Sequence, residues 1–294
     1  MLPIPKLVPG GTHWLRIPRS KTAAMRVLLE TVQRGSTYHT SGTVKLGKAM
    51  GFADKVARLY AADANTNRRA YRKRTGQANT TLIMFPADAP GELHWWLLAT
   101  PGRGAVHLAE KLADATVRGQ HLRWAQQYEL LQLGYHHGQA AARSWTWRLT
   151  RSNMDEWCAQ AEEATRSTGR VANDIARALG VYEAMTRMVP FRGVRRQLWE
   201  LHNVMRVNWE RHHRVQCPLP AFSVHYLDKS FLCYHRPNPL RLDVLIHLLQ
   251  RRADALGVEA ARDLFDGSAI AAPQDSSPLC LPHQFSAGHG VYTA

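Results

Sequence analysis

The densest chemistry in this sequence is a run of guanidinium groups. In Asn67-Arg68-Arg69-Ala70-Tyr71-Arg72-Lys73-Arg74-Thr75-Gly76-Gln77, five positive side chains fall within seven positions and no carboxylate interrupts them. Guanidinium and ammonium groups hold phosphate oxygens, Asn, Gln and Thr reach base edges, and a tyrosine ring stacks on a base. Arg68, Arg69, Tyr71, Arg72, Lys73 and Arg74 are therefore candidate contacts to nucleic acid. A basic helix on a membrane surface would set bulky apolar residues opposite its charges, and this run has none. The plain alternative is a solvated basic loop.

A second basic stretch lies at 191–214. Val194, Leu198, Leu201 and Met205 recur at helical spacing and define an apolar seam. Arg192, Arg195, Arg196, Arg206 and Arg214 fall opposite that seam, with Asn203 among them. Solvation alone accounts for arginines on such a face. It does not account for Trp199, which falls there too. Trp199 is either packed under another element or a stacking platform beside phosphate-binding arginines.

Other constellations are weaker. Gly102, Arg103 and Gly104, after Pro101, suit an anion site between a strand and a helix. The segment matches neither the P-loop nor the dinucleotide fingerprint, and a tight turn is the plain reading. His213-x3-Cys217 and Cys233-x-His235 flank an expected hairpin, with Cys280-x2-His283 further on. Cys217, Cys233 and His235 are weak zinc candidates, because the spacing is irregular for a tetrahedral site. No metal and no cofactor are expected. The pairs His136-His137 and His212-His213 point apart and do not converge on one ion. Carboxylates are sparse through 1–100, which leaves paired-acid metal catalysis poorly supplied. A metal-free ribonuclease would draw on His94, His107 or His121; packed or solvated histidines are the plain reading. No catalytic residue is assigned.

The charge is clustered as well as large. Across 294 residues, 38 basic against 23 acidic side chains give +15, and 30 of the basic residues are arginine. Codon bias in a GC-rich genome is the plain alternative for the arginine excess alone. It does not explain why residues 1–79 hold 15 basic and 3 acidic side chains, and residues 191–236 hold 8 and 3. Clustering of this kind reports a polyanionic partner.

These residues must be positioned by an α+β fold. Pro3, Pro5, Pro9, Gly10, Gly11 and Pro18 break any element before residue 20. A helix follows from Lys21, with Met25, Leu28, Leu29 and Val32 on one face and Gly35 as its stop. After a polar loop, Ser36–Thr43, a second helix carries Leu46, Met50, Ala53, Ala57 and Tyr60. Two short helices beside a basic arm have the layout of a helix-turn-helix module. Strands are expected at Thr80–Phe85, His94–Ala99, Tyr128–Leu133 and Ser144–Thr150, with a helix at Ala105–Val117 seamed by Ala105, Leu108, Ala109 and Leu112. They imply a small antiparallel or mixed sheet with a packed helix. The C-terminal half reads as mostly helical. Ser152 and Asp155 form a capping box, helices span Val171–Leu179, Val181–Met188, Phe191–Arg214 and Leu240–Leu256, and a hairpin joins Phe222–Tyr226 to Phe231–Tyr234. The expected division is 1–79, a basic helical segment with its arm; 80–150, the sheet; 151–266, the helical region; and 267–294, a loose tail.

Forty-five per cent hydrophobic content supports a sizeable core. The longest strongly apolar stretch, Trp95–Ala99, is too short to cross a membrane, and the start carries no signal-like apolar segment. Four dispersed cysteines are no disulfide framework, so a reducing, cytoplasmic location is expected. The expected function is non-catalytic nucleic-acid binding by a bacterial accessory protein of DNA maintenance, transfer or regulation. DNA is the favoured partner. The alternatives are an RNA-binding or RNA-processing subunit of a ribonucleoprotein, and a basic scaffold for an acidic protein partner.

Overall fold

The computed structural model describes residues 14–89, 91–134, 143–228 and 231–251. They form an α+β protein of two compact units. One runs to His121 and takes in the described residues from Leu232 onward; the other runs from Leu122 to Phe231. Among the described residues no helix is long and apolar enough to cross a membrane.

The first unit is an antiparallel sheet with helices. α1 spans Lys21–Gln33. It starts where the Ser20 side chain accepts from the Ala23 N–H, and it buries Met25, Leu28 and Val32 as its periodicity requires. Gly35 stops it at φ +101°, a left-handed conformation natural only to glycine. The next segment is the main departure from the sequence reading. The expected polar loop is a strand, β1 (Tyr38–Lys45), and it lies inside the sheet. β1 pairs antiparallel with β3 (Glu92–Ala99) on one side and with the short β4 (Ala113–Asp114) on the other, while β2 (Thr80–Pro86) flanks β3. Its polarity is the alternation of a strand with one wet face, since Ser41, Thr43 and Lys45 are exposed while Thr40, Gly42 and Val44 between them are half-buried. Gly42 leaves room for the Trp95 ring: a Cβ at 42 would sit 3.0 Å from Trp95 Cζ2. A strand between α1 and α2 (Ala49–Tyr60) also removes the helix-turn-helix expectation, which needs a short turn there.

α2 buries Ala49, Ala53, Val56 and Tyr60, so its seam runs through Val56 where the spacing had suggested Ala57. These residues pack with Leu82, Met84, Leu93 and Leu97 of the sheet and with Leu242, Leu245, Ile246 and Leu249. The last four belong to α8, which occupies 242–251 of the described residues and begins two residues after the expected start; residues 252–256 of the expected helix lie outside them. The helix expected over Ala105–Val117 is cut to α4, Ala105–Ala109. The chain turns extended at Glu110, so Val106 is buried and Leu108 stands 91% exposed.

The second unit carries its own sheet, β5 (Leu122–Trp124), β6 (Tyr128–Gly134) and β7 (Arg143–Leu149), in that order and antiparallel. The strands expected as one sheet over 80–150 thus belong to two sheets in two units, and the division falls after His121. α5 (Arg151–Ala164) is capped by Thr150, two residues before the expected Ser152. α6 (Val171–Thr186) continues through Gly180 where two helices were expected. α7 (Arg192–His212) buries Val194, Leu198, Leu201, Met205 and Trp209, as its periodicity requires. It lies on β7: a Cβ at Gly193 would meet the Trp147 carbonyl oxygen at 2.4 Å, so this contact needs glycine. Gln197 extends it by donating to the Leu149 carbonyl at 3.2 Å and accepting from the Leu149 N–H at 2.7 Å. The expected hairpin is absent among the described residues, because 222–226 and 231–234 carry no strand. The chain lies along the helices instead: Tyr182 donates to the Ala221 carbonyl, and the His202 ring bonds that of Pro220. The 267–294 tail and residues 1–13 lie outside the described residues.

Candidate nucleic-acid interface

The arginine-rich run is a helix, α3, spanning Thr66–Arg74, and not a loose arm. Asn65 caps it by accepting from the Arg68 N–H at 2.9 Å. None of its residues is fully buried. A nine-residue helix without an apolar seam is marginal alone. Two of its own arginines hold it down. Arg69 turns inward and donates to the carbonyls of Ala62, Ala64 and Thr80 at 2.9–3.2 Å, and to Thr81 Oγ1 at 3.1 Å. Burial, then the neighbouring Arg72, lower the Arg69 guanidinium below its ordinary value. Arg72, one turn on, donates through Nε and Nη2 to the Ala78 carbonyl. Arg69 is therefore bound into the fold, whereas Arg72 is bound through Nε and Nη2 only and also lines a pocket.

The remaining members of the cluster face solvent. Arg68, Lys73 and Arg74 are exposed, and Tyr71 is 57% exposed. Among the described residues, no side-chain hydrogen bond or ion pair engages Arg68, Lys73 or Arg74. The outer side of α3 thus offers three unpaired cations and one aromatic ring.

The loop Pro101–Gly104 is bolted to the end of this helix. The Arg103 N–H donates to the Gly76 carbonyl at 2.9 Å, and the Ala78 N–H to the Arg103 carbonyl at 2.8 Å. Gly102, at φ +138°, permits the approach, since a Cβ there would sit 2.9 Å from Ala78 N and Gly76 O. The glycine serves backbone-to-backbone contact, and the Arg103 N–H is not available to an anion. The Arg103 side chain, however, lines the same pocket of about 300 Å³ as Arg72, Gln77, Tyr60, Leu59 and Val106. No sequence signal joins Tyr60 or Gln77 to Arg103; the paired glycines at 76 and 102 are the nearest hint. Burial, then the hydrogen bond its hydroxyl donates to Glu110 at 2.5 Å, push the Tyr60 phenol up to about 12.

α7 presents its arginines differently. Arg192 is bound through Nη2 to the carbonyls of Leu133 and Ser144 at 3.0 and 3.4 Å, another fixture of the fold and not an outward contact. Arg195 lies over the Tyr226 ring, 3.3 Å from its centre. Arg196 pairs with Glu200 at 3.3 Å and Arg206 with Glu210 at 3.0 Å, each four residues on. Trp199 is 54% exposed, so it is not packed beneath another described element.

The weaker candidates separate. Cys217 belongs to the second unit, while Cys233 and His235 belong to the first, where they line a pocket of about 380 Å³ with Arg16 and Tyr234. Burial, above all, raises the Cys233 thiol, and burial pushes the Tyr234 phenol up to about 12. Among the described residues no three His, Cys, Asp or Glu side chains gather as metal ligands. His136, His137, Cys280 and His283 lie outside the described residues. His107 bonds the Thr100 carbonyl at 2.9 Å and meets the edge of the Tyr38 ring. His94 is partly buried, and that burial lowers its pKa. His121 is likewise partly buried. No family model, curated protein or solved structure matches this chain.

Proposed function

We infer that this protein binds nucleic acid without catalysing a reaction, DNA being the favoured polymer, and that the outer side of α3 is its principal phosphate contact. The observation that carries this reading is the set Arg68, Lys73 and Arg74, exposed and without a carboxylate partner among the described residues. An exposed cation without a neighbouring acid keeps its full attraction for a phosphate, and binding releases the counterions condensed on the polymer. Tyr71 adds a ring on which an unpaired base stacks. Trp199 and Arg195 on α7 supply a second, smaller element of the same chemistry.

The test is salt dependence on duplex DNA, single-stranded DNA and RNA of matched length. Replacing Arg68, Lys73 and Arg74 together with alanine should weaken binding uniformly across sequences. On duplex the slope of log affinity against log salt should flatten by about 3, roughly 0.9 per lost phosphate contact. Tighter binding to RNA than to either DNA would move the protein to the RNA-binding alternative. An unchanged slope in the triple variant would remove α3 as the contact surface.

A further inference from the structure

We propose that the pocket shared by Arg72 and Arg103 binds a phosphate monoester, the terminal phosphate of a nucleic-acid strand. This deepens the reading of α3 as a phosphate contact and rests on it.

Four observations carry it. First, two guanidinium groups from separate segments line one pocket, and no carboxylate lines it with them. Arg72 keeps its Nη1 donors free, because only Nε and Nη2 are bound to Ala78 O. The Arg103 side chain makes no hydrogen bond or ion pair among the described residues. Second, the two are held in a fixed relation. The reciprocal backbone bonds between Gly76–Ala78 and Arg103, which only glycine at 102 permits, tie the 103 loop to the end of the helix that carries Arg72. Third, the Glu110 carboxylate, which accepts from the Tyr60 hydroxyl, does not itself line the pocket. Fourth, at about 300 Å³ the pocket is at the small end for organic ligands, of size for one nucleotide.

The charge matches a monoester better than an internal diester. A terminal phosphate carries close to two negative charges at neutral pH, as a phosphorylated side chain does. Two arginines without an opposing acid complement that charge with short, charge-assisted hydrogen bonds. Gln77 and the apolar edge of Leu59, Ala105 and Val106 border the attached sugar. Lys73 and Arg74, in the same helical turn as Arg72, then meet the next phosphates of the strand.

The experiment uses the full chain and internally labelled single strands of one sequence carrying a 5′-phosphate, a 3′-phosphate or hydroxyls at both ends. One of the phosphorylated strands should bind about tenfold tighter than the hydroxyl-ended strand. Arg103→Gln should abolish that preference, while its affinity for the hydroxyl-ended strand stays within about twofold and its melting temperature is unchanged, because the side chain is exposed. The Arg68, Lys73 and Arg74 triple variant should lower all three affinities equally and keep the preference. Equal binding of all three strands by the wild-type protein, or a preference that survives Arg103→Gln, overturns the pocket while leaving nucleic-acid binding in place. If no strand binds, adenosine 5′-monophosphate against adenosine decides. Binding of the monophosphate alone keeps the pocket as a phosphate site and removes the nucleic-acid reading; binding of neither overturns both.

Discussion

α3 and α7 are both basic helices, and they show that net charge and available charge are different quantities. α7 is 21 residues long and is held by an apolar seam of five fully buried side chains, Val194, Leu198, Leu201, Met205 and Trp209. Its outward arginines sit among partners: Glu200 follows Arg196 by four residues, Glu210 follows Arg206 by four, and Tyr226 lies under Arg195. α3 has nine residues, no fully buried side chain and no acid. It uses arginines for two opposite purposes. Arg69 and Arg72, at i and i+3, turn inward to backbone carbonyls, and Arg68, Lys73 and Arg74 are left outside without a counter-charge. A helix anchored by hydrophobic burial can afford neutralised surface charge. One anchored by guanidinium groups shows its remaining charge bare.

The largest expected effect tests that anchoring. Arg69→Ala strands the carbonyls of Ala62, Ala64 and Thr80 and the hydroxyl of Thr81 with nothing in their place. A hydrogen bond to a charged group contributes about 1.5–3 kcal/mol, and part of this loss is offset by water entering a half-exposed site. A net destabilisation of about 3 kcal/mol should appear as a lower denaturant midpoint. Arg68→Ala, on the outside of the same helix, should change stability by less than about 0.5 kcal/mol. Equal midpoints for the two variants would erase the inward and outward division of α3.

A smaller effect is expected on α7. Trp199→Ala should leave the denaturant midpoint nearly unchanged, because the side chain is 54% exposed and removes little from the core. If the indole stacks on bases, affinity for single strands should fall by about 1 kcal/mol, and affinity for duplex by less, since paired bases do not offer their faces. A stability loss without a separate affinity loss would take α7 off the binding surface.

The elements legible in the sequence were those whose buried side chains are apolar, in a one-sided seam for the helices and in continuous runs for the strands. α1 and α7 follow from Met25, Leu28 and Val32 and from Val194, Leu198, Leu201 and Met205; β2, β3, β6 and β7 follow from their apolar and aromatic runs. β1 was hidden because its one fully buried side chain is a histidine, His39, whose Nε2 bonds the Gln120 carbonyl. α3 was hidden as a helix because arginine hydrogen bonds replace its apolar seam. The basic residues of the site were visible as a cluster, but not which of them faced inward, since that depends on carbonyls at 62–64 and 78–81 that only the fold brings near. The acids that separate α7 from α3 were in plain sight: Glu200 and Glu210 stand four residues after Arg196 and Arg206.

The smallest expected effect converts one helix toward the other. Glu200→Gln with Glu210→Gln removes both acids from the α7 face and keeps their shape. The ion pairs themselves are weak: both partners are about half-exposed, and pairs of this i,i+4 kind contribute roughly 0.3–0.5 kcal/mol each. Stability should therefore fall by about 1 kcal/mol at most. That weakness also means that Glu200 and Glu210 do not lock the arginines away from a phosphate. They act by adding negative charge close to where a polyanion would lie, at a distance short of the roughly 8–10 Å over which salt screens it. The double variant should bind nucleic acid a few-fold more tightly at low salt, and the gain should shrink as salt is raised. Adding the same two substitutions to the Arg68, Lys73 and Arg74 triple variant should restore part of the lost affinity if α7 contacts the polymer. No gain in either background would confine binding to α3 and leave the basic face of α7 as a solvated surface.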